Sequence, residues 1–198
     1  MIILVLFYST IILAIIILIL YFSHSRLQID GILLDKPRNI TDINLVNHHG
    51  KPFTKNDLKN HWTFLFFGFT HCEMICPTTL VMLDKVIILL NADLPIDQIP
   101  QVIFITIDPE HDTIEKLNRY ITSYNRNFIA VRTKPSDTKA LENQFSVTVR
   151  KQKETLDHST QIILLNPNAQ IQAYFPYPQK PERIARDYKL IIQKMTKP

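Results

Sequence analysis

Trp62 to Gly68 is a run of bulky, mostly aromatic side chains. It is too short for a buried helix and lacks the alternation of a half-solvated strand, so it reads as a strand buried on both faces. Such a strand needs a layer above it and another below, and helices are the usual cover. The flanking sequence supplies them. Pro77 suits a first helical turn, and Leu80, Leu83, Ile87 and Leu90 recur at helical spacing to give one apolar stripe. Val102 to Ile107 reads as a second buried strand. Asp112 then stands as an N-cap with Glu115 three residues on, and Ile114, Leu117, Ile121 and Tyr124 share one helix face.

The remaining segments extend this pattern. Ile43–Val46 and Lys51–Phe53 form a hairpin around the turn Asn47–Gly50. Phe128 to Arg132 reads as a strand, and a helix follows Pro135 and ends near Phe145. Strands are expected around Val147–Val149, Gln161–Leu165 and Gln170–Phe175, the last two joined by a turn at Asn166–Ala169, and a final helix runs from Pro181 to Met195. Strands alternating with helices, closed by an antiparallel pair, predict an α/β fold with a mixed sheet and helices on both faces. Ligands of such sheets gather at the carboxyl ends of strands, where Cys72 and Asp108 fall.

Ahead of this domain, Ile2 to Phe22 holds no charged side chain. As a helix rising ~1.5 Å per residue it covers a ~30 Å hydrocarbon core, and it has neither the basic start nor the small-residue cleavage site of a signal peptide. Residues 1–22 are therefore expected to be a transmembrane anchor, 23–40 an aperiodic tether and 41–198 the folded domain; 198 residues suit one domain with an appendage. Arg26, Lys36 and Arg38 follow the span and pull that side toward the cytoplasm, although long folded domains translocate largely regardless of flanking charge. The net charge of +4 is spread among acidic residues, with no basic run or aromatic-interleaved RNA motif. That pattern favours an acidic partner or an anionic lipid surface over nucleic acid.

The chemistry concentrates in Thr70-His71-Cys72-Glu73-Met74-Ile75-Cys76-Pro77, which contains the chain's two cysteines. Four-residue spacing puts both sulfurs on one helix face, ~5–6 Å apart at Cβ, where the helix dipole favours thiolates. Three readings compete: small buried core residues, a redox dithiol, or a soft metal site. A dithiol more often has two intervening residues. Structural zinc wants four ligands, whereas copper(I) is content with fewer soft ones. A metal reading still needs a nitrogen donor.

Gly68-Phe69-Thr70-His71-Cys72 with Cys76-Pro77, Thr106-Ile107-Asp108-Pro109-Glu110-His111-Asp112-Thr113, and Asp157-His158-Ser159-Thr160 together resemble the SCO/SenC family of copper chaperones for cytochrome c oxidase assembly. The resemblance covers about Leu45 to Met195. It implies a thioredoxin-like fold with an N-terminal anchor and a copper ion bound by Cys72, Cys76 and His158. It further implies delivery to, or thiol reduction at, the binuclear copper site of oxidase subunit II, with the soluble domain on the periplasmic or mitochondrial intermembrane-space side. Another copper donor or a thiol reductant would be further partners. Beside the site, Asp157 orients the His158 imidazole or is a solvated loop residue, and Asp108 tunes the cysteines or caps a turn. Glu73 and Met74 stand where the family often has Pro and Asp, and His111 stands where it has Arg. Met74 offers copper a thioether or faces a partner. His48, His49 and His71 are assigned turn and solvent roles. The rival functions are a thiol–disulfide oxidoreductase that carries no metal and a copper or redox sensor.

Overall fold

The computed structural model describes residues 8, 10–18, 29–152, 155–158 and 160–196, with backbone alone at 150–152, 155–158 and 196. From residue 29 the order is β1 (Ile32–Asn39), β2 (Asn44–Asn47), β3 (Pro52–Thr54), β4 (Thr63–Gly68), α1 (Ile75–Asp93), β5 (Gln101–Thr106), α2 (Ile114–Tyr124), β6 (Ile129–Arg132), α3 (Thr138–Gln144), β7 (Val149–Gln152), β8 (Thr155–His158), β9 (Ile162–Leu165), β10 (Gln170–Phe175) and α4 (Pro181–Thr196). The main sheet runs β1-β10-β9-β4-β5-β6-β2-β3, and β7 and β8 form a separate hairpin. β4, β5 and β6 are parallel, while β9 joins β4 antiparallel.

Every residue of β4 is buried, as its composition demands. Alternation then sorts its side chains into two layers. Phe64 and Phe66 join Val102, Phe104, Ile162 and Leu164 against Leu80, Leu83 and Leu90 of α1, Leu117 and Ile121 of α2, and Ile184 and Tyr188 of α4. Leu65 and Phe67 face the other way with Ile103, Ile105, Ile163 and Leu165, covered by the β2–β3 hairpin, Leu141 of α3 and Phe145. The sheet is thus mixed and flanked by helices, three on one face and one on the other.

Three expectations change. Part of the expected tether, residues 32–39, is the edge strand β1, antiparallel to β10 with Leu33 opposite Ala173 and Arg38 opposite Ile171. Its irregular sequence carries no strand period because only scattered positions pack, and backbone pairing makes the strand. Tether residues 23–28 lie outside the described residues. The helix N-cap is Thr113, whose hydroxyl accepts from Lys116 N–H at 3.3 Å, and not Asp112, which is drawn inward by better donors. His48 is 2% exposed, not a solvent residue. It sits against β6, where its Nδ1 accepts from Ala130 N–H at 3.1 Å.

Of the expected membrane span, residues 8 and 10–18 are described, helical and exposed, and the rest lies outside the described residues. α1 is also long and apolar enough to cross a membrane. Its buried stripe against β4 and β5 marks it as a core helix.

Candidate metal centre

β4 ends at Gly68, and the position requires a residue without a side chain. A Cβ there would stand 2.7 Å from Phe104 Cε2 and 2.8 Å from Cys76 Sγ. The missing side chain lets the Cys76 sulfur rest against the strand end. Beyond Gly68 the chain turns, with Cys72 N–H donating to Phe69 O at 3.3 Å. α1 begins only at Ile75. Cys72 therefore lies in the turn before the helix and Cys76 in its first turn, which corrects the expectation of two sulfurs on one helix face. The cause is the turn at Phe69–Cys72, which postpones the first helical residue.

Neither cysteine is in a disulfide. Cys76 is 0% exposed and part of the core beneath α1. Cys72 is half-buried and borders both apolar layers. The Cys76 N–H donates to Cys72 Sγ at 3.4 Å, so a helix N-terminal amide is aimed at the outer sulfur. That amide favours the thiolate on Cys72. The hydrogen bond with Cys72, and then burial, push the Cys76 thiol well up from its ordinary range. The inner thiol holds its proton until something cationic compensates the charge.

A residue that sequence reasoning missed anchors this loop. Asp112 is 0% exposed. Its carboxylate accepts from Thr70 N–H at 3.1 Å, from Thr70 Oγ1 at 2.5 Å and from Thr106 Oγ1 at 2.5 Å. It ties the cysteine loop to the end of β5, and three donors offset the cost of burying a carboxylate. Asp108, at the exposed edge, accepts from His111 Nδ1 at 2.9 Å and stands 3.6 Å from His71 Nε2. It thereby reaches the residue preceding Cys72. His71 also packs edge-on to Phe69, with ring centroids 4.6 Å apart.

His158 closes β8, opposite Val149 of β7, and Asp157 is opposite Arg150. Val149 packs on the same apolar layer that Cys72 borders. The side chains of His158 and Asp157 lie outside the described residues. Among the described residues, no group of three or more His, Cys, Asp and Glu side chains is arranged to hold a metal ion. The described donors at the loop–helix junction are two sulfurs, a set that suits a soft cation of low coordination number better than a closed four-ligand zinc site.

The sequence profile described as SCO1/SenC matches residues 34–193. A putative copper-binding protein of Stutzerimonas stutzeri is 30% identical over 164 residues, 80% of this chain and 79% of that protein. The mitochondrial SCO2 homolog of Danio rerio is 30% identical over 154 residues, 75% of this chain and 55% of that protein. The chain spans about half the length of the mitochondrial relatives it matches. Among solved structures, Arabidopsis thaliana ScoI with copper bound superposes with a TM-score of 0.73 at 26% identity, covering 78% of this chain and 98% of that one. With its sheet order, its paired thiols and a profile match over most of its length, the chain belongs to the SCO1/SenC family.

Proposed function

We propose that this protein is a membrane-anchored copper chaperone that holds one copper ion between Cys72, Cys76 and His158 and assists assembly of the binuclear copper site of cytochrome c oxidase. The observation that carries the reading is the contrast within the cysteine pair. One thiol is fully buried and resists ionisation, while its partner half faces solvent under a helix amide. A buried thiol that will not ionise alone is a poor attacking nucleophile, but it becomes a thiolate ligand once a soft cation displaces its proton.

Binding converts both thiols to thiolates and releases their protons. The His158 imidazole supplies the nitrogen that completes a three-donor site. An acceptor with more ligands, subunit II of the oxidase in this reading, then takes the ion by stepwise ligand exchange. Residues 1–22 hold the domain at the membrane, with the domain on the periplasmic or mitochondrial intermembrane-space side. The copper-binding names of relatives support the choice of ion.

The Cys76 N–H bond to Cys72 also favours a second reading, a thiol–disulfide oxidoreductase. There, the Cys72 thiolate attacks a partner disulfide and Cys76 resolves the mixed disulfide. The partner gains two electrons and two protons as the Cys72–Cys76 disulfide forms. The two readings separate on the reduced full-length chain by counting bound copper(I) in the wild type and in His158→Ala. One ion per chain, held about tenfold or more weaker in His158→Ala, is the expected result. Unchanged affinity and spectrum in His158→Ala, together with rapid reduction of a disulfide substrate, would transfer the assignment to the second reading.

A further inference from the structure

Met74 breaks two local rules at once. It occupies the N-cap of α1, where Ser, Thr, Asp or Asn would bond a free amide, and it makes no side-chain cap. It is also 74% exposed, a large apolar side chain standing in solvent while Leu80 and Leu83 of the same helix are fully buried. Its backbone is held nonetheless, because its carbonyl accepts from Thr78 N–H at 3.1 Å and from Thr78 Oγ1 at 2.8 Å. The side chain is displayed from a fixed point, two residues from each cysteine. Departures from local preference without a packing gain mark sites kept for chemistry.

What the position offers is a third sulfur. The three sulfurs are graded in exposure: Cys76 is sealed in the core, Cys72 is half-buried, and Met74 stands in solvent. A thioether binds copper(I) without a proton and more weakly than a thiolate, which suits a ligand that must release what it takes. We propose that Met74 is the exit ligand of this chaperone, receiving copper(I) from Cys72 during transfer to the acceptor. The proposal rests on the copper-carrying reading above. In the step, the copper–Sγ bond to Cys72 breaks as a copper–Sδ bond to Met74 forms. Copper stays monovalent, no electrons move, and the freed Cys72 thiolate takes a proton from water. The acceptor's first donor then displaces the thioether.

The test uses the reduced full-length chain in detergent, loaded with one equivalent of copper(I). It measures equilibrium affinity, the rate of transfer to the chelator bicinchoninate, and the ¹³C-methyl resonance of Met74. Met74→Leu keeps the apolar volume and removes the sulfur. Met74→Asp adds a helix cap. We expect Met74→Leu to transfer about tenfold more slowly with affinity within about twofold of wild type. Met74→Asp is expected to be equally slow while melting at a higher temperature, a combination that a purely structural role does not produce. The Met74 methyl signal of the wild type should shift on copper loading. A Met74→Leu rate equal to wild type overturns the proposal, and if Met74→Asp alone is slow, the side chain acts as an apolar contact and not as a ligand. A wild-type chain that binds no copper(I) overturns the chaperone reading and this proposal together, whereas normal binding with an unchanged Met74→Leu rate overturns this proposal alone.

Discussion

Gly68 shows how much a single hydrogen atom in place of a side chain can decide. Adding a methyl group would drive it to 2.7 Å from the Phe104 ring and 2.8 Å from the Cys76 sulfur, both of them fully buried in the core, so something must shift. Gly68→Ala is expected to cost about 1–3 kcal/mol of stability in urea unfolding and to weaken copper(I) binding by moving the inner sulfur. His48 makes a different demand. Its Nδ1 accepts a proton bond from Ala130, while Nε2 is buried without a partner, and burial followed by the neighbouring His49 lowers its pKa. The unfolded chain therefore binds the proton more readily than the fold does. The stabilising contribution is complete above the unfolded value of about 6.5 and is lost as pH falls below it toward the lower folded value. Unfolding midpoints measured from pH 8 to pH 5 should drop through that window, and His48→Gln should flatten the drop. At this scale the sequence was partly legible. The cysteine pair stood out because both sulfurs come from one short segment, whereas Asp112 did not, because its donors Thr70 and Thr106 lie on the cysteine loop and at the end of β5.

Among the elements, the strands of the sheet's centre could be read directly, since unbroken apolar runs such as Phe64–Phe67 and Val102–Ile105 have no other stable home. The helix stripes were equally plain. β1 escaped notice because an edge strand is held by its neighbour's backbone, and Asp35, Lys36 and Pro37 interrupt any apolar alternation. Its attachment is nonetheless substantial. Buried Asp187 of α4 accepts from Asp30 N–H at 2.7 Å and Gly31 N–H at 3.1 Å, and Arg38 donates to the Tyr174 hydroxyl at 2.8 Å. A chain beginning at residue 41 would leave β10 with a bare edge and Asp187 without those two donors. Compared with one beginning at residue 29, it is expected to be on the order of 2–4 kcal/mol less stable in urea and more prone to aggregate. Equal unfolding midpoints for the two would show that β1 is dispensable.

For the molecule as a whole, layer architecture followed from alternation along β4, but the third donor proposed for copper did not follow from any local pattern. His158 was named through the block that resembles the family, and the backbone brings its strand beside Val149, on the layer that Cys72 also borders. That shared border has a further consequence. Among the described residues, Cys72 is the point at which the cysteine loop leans on the packing of both sides of the sheet, so loosened packing under α1 and loosened packing under α3 arrive at the same sulfur. If the proposed copper-carrying role holds, packing defects in either half of the interior would be felt first as faulty metal transfer, in molecules that still fold.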